Sequence, residues 1–224
     1  MALLSANRRE RVAPSPASIG SRLLPDILDA ERLERLGTVN ILDFGRVNSA
    51  SLEYFNQFPC RLSVLDAAEG LLEWSAEVAE RASAEEPPSQ QQLQRELAGL
   101  LRAMDARYDL VFLWDTLNHL HELALPAFSK LLRRHLSPRA RGHGFMLHKR
   151  DAQQQLRRMG LAGVGAVHLL EQSEARLFPH TRKTVNEALG RELHIDHAVL
   201  HNDGRLEYVL AVAGSERNSD QSAQ

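Results

Sequence analysis

The run Val39-Asn40-Ile41-Leu42-Asp43-Phe44-Gly45 limits the possible folds of this chain more than any other stretch. A short apolar run of this kind is what a strand buried on both faces of a parallel sheet requires. It ends in an acid and a glycine, and residues 49–55 then read as a helix. Gly45 has no Cβ, so the chain can turn tightly there or let a ligand approach the backbone. The unit recurs along the sequence. Arg61 to Asp66 is a second strand, followed by a helix over 67–83 with Glu69, Glu73, Glu77 and Glu80 on its outer face. Tyr108 to Trp114 is the clearest strand. Phe128, Leu131, Leu132 and Leu136 mark a helix stopped near Pro138, and Gly144 to His148 is another strand.

Strands that alternate with helices imply right-handed crossovers and a parallel sheet. Near the end, His194 to Leu200 and Arg205 to Ala213 flank Asn202-Asp203-Gly204, a hairpin signal. One edge of the sheet must therefore be antiparallel. The expected fold is α/β, an open, mostly parallel, doubly wound sheet with a C-terminal antiparallel hairpin. Between Asp66 and Tyr108 no third strand is evident. Leu93, Leu97, Leu100, Leu101 and Met104 repeat at helical spacing, after a loop rich in Glu, Pro and Gln.

One domain over 20–213 is expected, with disordered tails at 1–19 and 214–224. Leu23, Leu24, Ile27, Leu28, Leu33 and Leu36 predict a helix over 21–36, ended by Gly37. Residues 150–180 read as an insertion or substrate cover, because Gly160, Gly163 and Gly165 suggest loop while 166–170 could add a strand. Thr181 caps a helix running to about Leu189, with Gly190 as its stop.

The 224 residues carry a formal net charge of -2, which selects no polyanionic partner. The single cysteine, Cys60, excludes an internal disulfide and fits a reducing compartment. No apolar run approaches the ~20 residues that cross a bilayer, and the N-terminus has its apolar residues ahead of its charges, unlike a signal peptide. A cytoplasmic protein without membrane attachment is the expectation. The exposed hairpin edge could pair with a second copy.

Ligands of such sheets bind beyond the carboxyl ends of the strands. Asp43 and Gly45 end the first strand of the repeating unit there. Asp66 ends the second, 21 positions after Gly45, close to the roughly 20-residue spacing of an acid that holds ribose hydroxyls. A bland role competes for each: a tight turn for Gly45 and a helix cap for Asp66. Asp115 ends the strand over 108–114 and faces the same crevice, with a turn cap as its bland alternative. His119, His121, His143, His148 and His180 suggest metal, but no Cys or Glu stands at zinc-ligand spacing, and no metal site is assigned. Cys60 is read as a buried hydrophobe, and no hydrolase elbow is present. Several basic residues lie between Arg133 and Arg150 with no acid among them. A solvated face explains them better than nucleic acid, because few aromatics accompany them.

Taken in order, Ile41-Leu42-Asp43-Phe44-Gly45, Val64-Leu65-Asp66, Tyr108-Asp109-Leu110-Val111 and Leu117-Asn118-His119-Leu120 resemble the class I S-adenosylmethionine-dependent methyltransferases, whose fold is Rossmann-like. The segment 131–147 looks like their helix, turn and fifth strand, and the closing hairpin like their last two strands. The likeness covers about residues 38–213. It implies S-adenosylmethionine as cofactor and methyl transfer to a small-molecule or protein acceptor. By position, Asp43 and Gly45 would line the methionine end of the cofactor, and Val47 would lie where the cofactor approaches the loop. Asp66 would hold the ribose, and Asp115, Leu117 and Asn118 would border the cofactor and substrate crevice. No catalytic base is identified. The family's Gly-x-Gly-x-Gly is here Gly45-x-Val47-x-Ser49, which places a branched side chain where the cofactor would approach. Two functions therefore compete: an active methyltransferase, and a catalytically silent methyltransferase-like domain that binds or regulates. A nucleic-acid-binding protein ranks third.

Overall fold

A computed structural model of the protein describes residues 17–46, 48–84, 86–147 and 155–214. Val47, His148 and the terminal stretches 1–16 and 215–224 lie outside the described residues. The elements run β1 (Ala17–Gly20), α1 (Leu24–Ile27), α2 (Ala30–Leu36), β2 (Val39–Asp43), α3 (Ser49–Phe55), β3 (Cys60–Val64), α4 (Ala68–Ala82), α5 (Gln90–Leu100) and β4 (Tyr108–Trp114). After two short 3-10 turns at Thr116–His119 and Glu122–Ala124 come α6 (Leu125–Arg134), β5 (Leu136–Leu147), β6 (Gln155–Gly163), β7 (Ala166–Glu174), α7 (Arg182–Leu189), β8 (Leu193–Leu200) and β9 (Arg205–Val212). Among the described residues no helix is long and apolar enough to cross a membrane.

The central sheet has the order β3-β2-β4-β5-β9-β8. β3, β2, β4 and β5 are parallel, and β9 is antiparallel to both β5 and β8. The expected mostly parallel sheet with a closing hairpin is therefore present. Between β3 and β4 the described residues hold α4 and α5 and no strand, and β3 ends the sheet. The two helices are joined where Glu96 accepts from both Arg81 Nη atoms at 2.9 and 2.8 Å and from Trp74 Nε1 at 2.8 Å.

Successive side chains of a strand point to opposite faces, and the core divides accordingly. Leu42, Val111, Leu113, Met146 and Leu210 pack with α4 to α7. Ile41, Leu110, Phe112, Trp114, Phe145 and Val209 face the other way, with α1, α2, α3 and three residues from a second sheet: Met159, Leu161 and Val167. That second sheet is antiparallel, in the order β1-β7-β6.

Several expectations are corrected. The helix over 21–36 is two helices, because Asp29 accepts from Arg32 N at 2.8 Å and starts α2 afresh. Residues 17–19, expected in the N-terminal tail, belong to β1, which pairs with β7. Leu136 and Pro138 belong to β5, which begins far ahead of Gly144. A register shift between the pairs Tyr108–Leu136 and Leu110–Arg141 absorbs the proline. Residues 155–174 form a hairpin, and Gly160 sits inside a strand. The capped helix and the final hairpin are as read, with Thr181 accepting from Thr184 N at 3.1 Å and Gly204 at φ 83° in the turn.

A buried carboxylate ties the N-terminal segment to the central sheet. Glu207 on β9 is fully buried. It accepts from the Ser21 hydroxyl, from Arg22 N at 3.0 Å and from Leu23 N at 3.1 Å. His143 Nε2 and His201 Nε2 meet it at 2.8 and 2.7 Å. These bonds hold its pKa well below the usual carboxylate range despite burial. Glu207→Ala leaves these donors unpaired and is expected to cost about 3–5 kcal/mol, read as a lowered urea midpoint. Unchanged stability, with amide protection retained over 17–23, would contradict this role.

Candidate functional site

The carboxyl ends of β2, β3 and β4 do bring Gly45, Asp66 and Asp115 together, around a small cavity roofed by Arg157, Arg158 and Met159 of β6. Its volume is only about 10 Å³, room for roughly one water. The space above the loop is taken by the chain itself.

The Gly45 and Arg46 amides and the Asp66 carboxylate, which would meet a cofactor at the loop, each have an internal partner. Gly45 N donates to Asp43 Oδ1 at 2.7 Å, and Arg46 N donates to the Met159 carbonyl at 3.2 Å. A Cβ on Gly45 would fall on that carbonyl and lie 2.7 Å from Trp114 Cδ1. Glycine is required here by the close approach of β6 and Trp114. Asp66 pairs with Arg46 Nε at 3.2 Å and with Arg158, whose guanidinium also meets Glu69 at 2.6 Å and Glu171 at 3.4 Å. Arg158 is only 7% exposed. A buried guanidinium requires compensating charge, and three carboxylates supply it.

Asp43 lies beneath the loop, fully buried, and Trp114 Nε1 donates to its Oδ1 at 2.5 Å. Trp114 is held at φ 46°, a conformation uncommon for a bulky residue. That bond and stacking on Phe112, with centroids 5.3 Å apart, fix it there. Burial pushes Asp43 up to about 7, although its bonds to Trp114 and Gly45 oppose the shift. Burial likewise raises Asp115 to about 6, against the pull of Arg157 and Arg205. His119, also on the cavity, is held down to about 3 by burial and is therefore neutral.

Leu117 and Asn118 do not line the cavity. Leu117 is core, and Asn118 accepts from Leu147 N at 2.9 Å, anchoring the end of β5. Asp115 does line it, and accepts from Asn118 Nδ2 at 3.4 Å. Val47 is outside the described residues. The sequence does not single out Trp114, Arg157, Arg158 or Met159 as site residues, and it offers His119 only as a candidate metal ligand. Gly160 was the available signal: a Cβ there would strike Asn48 and lie 2.9 Å from the Arg46 carbonyl. It marks a strand pressed against the loop.

No family model matches this sequence, and no curated protein matches it. Solved structures resemble it at low identity. A Pyrococcus horikoshii protein is 15% identical, with 85% of this chain and 95% of that one covered, at a TM-score of 0.44. Magnesium protoporphyrin IX methyltransferase from Synechocystis, solved with bound S-adenosylmethionine, is 16% identical over 84% and 76%, at 0.46. An S-adenosylmethionine-dependent methyltransferase from Clostridium acetobutylicum is 10% identical over 88% and 93%, at 0.45. The likeness is one of outline. The chain's own strand order gives the fold: an open, mostly parallel α/β sheet with a closing antiparallel hairpin, and the β6–β7 hairpin in a second, antiparallel sheet.

In this arrangement the hairpin fills the space beside Gly45 and Asp66 where the sequence places the expected adenosyl group. The buried carboxyls give a measurable signature. Asp43 binds its proton more tightly folded than unfolded, so its contribution to stability falls as pH rises from its ordinary 3.8 to about 7, then levels. Asp43→Asn keeps an acceptor for Trp114 and Gly45. It should gain stability relative to the parent chain across that window, in urea titrations at stepped pH. A constant difference would show that Asp43 is not held protonated.

Proposed function

We propose that this chain is a methyltransferase-fold protein whose S-adenosylmethionine crevice is closed by its own β6–β7 hairpin. On this reading it serves as a binding or regulatory module and performs no methyl transfer in this state. One observation carries the reading: Arg158 occupies Asp66, the carboxylate that would otherwise hold a ribose. Energetics support it. Met159, Leu161 and Val167 are fully buried, and withdrawing all three would cost roughly 5–9 kcal/mol, at about 1.5–3 kcal/mol each. A micromolar ligand supplies about 8 kcal/mol in all, so opening would consume most of its affinity.

A second reading is a latent S-adenosylmethionine-dependent methyltransferase, with a small molecule or protein as acceptor. Polar atoms without a hydrogen-bond partner among the described residues favour it: Asp43 Oδ2, both His119 ring nitrogens, and Arg157 Nε and Nη1. Such groups cost about 1–3 kcal/mol each, and opening would hydrate them.

Calorimetric titration with S-adenosylmethionine and S-adenosylhomocysteine tests the first reading. No binding is expected up to about 1 mM, corresponding to about 4 kcal/mol. Micromolar binding by the unaltered chain would refute closure. A paired Arg46→Gln, Arg158→Gln variant frees Asp66. The module reading expects it to remain without affinity, whereas binding gained there and lost again on adding Asp66→Asn would establish the latent enzyme.

A further inference from the structure

A second cavity stays open beside the closed crevice, at the same end of the central sheet. It lies between the turn after β4 and the segment leading from β7 to α7. Its volume is about 560 Å³, within the range of roughly 300–1,000 Å³ typical of small-molecule sites. His121, Glu122, Arg176, Phe178, Pro179 and His180 line it.

The walls are fastened. Phe178 N donates to the Asn118 carbonyl at 2.8 Å, and His180 Nε2 donates to the Leu120 carbonyl at 2.9 Å. His121 Nδ1 accepts from Leu123 N at 3.3 Å, which leaves its proton on Nε2. The His121 ring meets Phe178 edge-on, with centroids 5.5 Å apart. Burial lowers the pKa of both histidines, so each is neutral at neutral pH.

Two opposite charges remain. Arg176 stands 5.9 Å from the centroid of Phe178 and is exposed. Glu122 is exposed as well, and both charges act on His121. Among the described residues neither Arg176 nor Glu122 has an ion-pair partner within 4.0 Å. A planar guanidinium suits a carboxylate. A free carboxylate suits an ammonium, and the Phe178 and Pro179 wall suits an apolar ring.

We infer that this cavity binds a small zwitterion with an aromatic side group, of the class of the aromatic amino acids. Arg176 takes the carboxylate, Glu122 the ammonium, and Phe178 packs on the ring. The inference deepens the module reading by naming what is bound, and it places the ligand away from Asp66.

The test is NMR titration of the full chain with L-phenylalanine, with 3-phenylpropionate and phenethylamine as single-charge controls. Shifts should concentrate at 121–123 and 176–180. Each control should bind about tenfold or more weakly, the size of one charge-assisted bond. Arg176→Gln and Glu122→Gln should each weaken phenylalanine similarly. Both substitutions are on the surface, and unchanged spectra elsewhere confirm the fold. The idea fails if about 10 mM phenylalanine, enough to fill most of a ~1 mM site, moves no resonance in these segments. It fails equally if the controls or variants bind as well as the parent pair. Titration of the same samples with S-adenosylmethionine reads the crevice separately, so either idea can fall alone.

Discussion

The seating of β6 on the Gly45 loop is the contact on which the rest of this structure turns. The Met159 carbonyl takes the Arg46 amide, and Arg158 takes Asp66. Backbone and side-chain partners that a cofactor would need are thereby satisfied within the chain. A loop with its amides and carboxylate already paired gains little from a new ligand, since each new bond replaces an existing one.

That seating is itself held from behind. β6 pairs with β7, β7 with β1, and the residues after β1 are gathered by Glu207 in the main sheet. Closure is thus distributed over a second sheet and a buried carboxylate, and the ion pairs at the surface are its weakest part. Exposed pairs such as Arg46–Glu171 contribute at most about 1 kcal/mol each. The buried side chains Met159, Leu161 and Val167 contribute more. Salt alone should loosen this hairpin little.

Most of the main sheet could be read from the sequence, because its signals are local. Apolar runs ended by Asp43, Asp66 and Asp115, a helix capped by Thr181, and Asn202-Asp203-Gly204 each fix their own neighbourhood. The absent strand was legible for the same reason: 93–104 repeats only at helical spacing. The site was half legible. Spacing placed Gly45, Asp66 and Asp115 at one end of the sheet, where they line one small cavity. What it could not supply was the residue opposite each one, since Arg158 lies 92 positions from Asp66. Leu117 and Asn118 were misplaced because a 3-10 turn after β4 rotates them into the core. Gly160 and Gly163 read as loop because glycine marks a turn and a close backbone approach alike. Gly163, at φ 153°, serves the first need and Gly160 the second.

The loop that prompted comparison with methyltransferases can now be explained without a cofactor. Gly45 must be glycine because β6 and Trp114 leave no room for a Cβ. Asp43 is retained as an acceptor for Gly45 N and Trp114 Nε1, and Asp66 as a counter-charge for Arg46 and Arg158. Asn48, just before the third position of the glycine pattern, caps α3 by accepting from Ser51 N at 2.9 Å. A side chain at this turn suits a loop against which β6 is packed. Asp66 and Gly45 meet the hairpin directly, at Arg158 and the Met159 carbonyl, and Asp43 supports that contact through Gly45 and Trp114. Their presence is therefore weak evidence for catalysis, and strong evidence that loop and hairpin are fitted to each other.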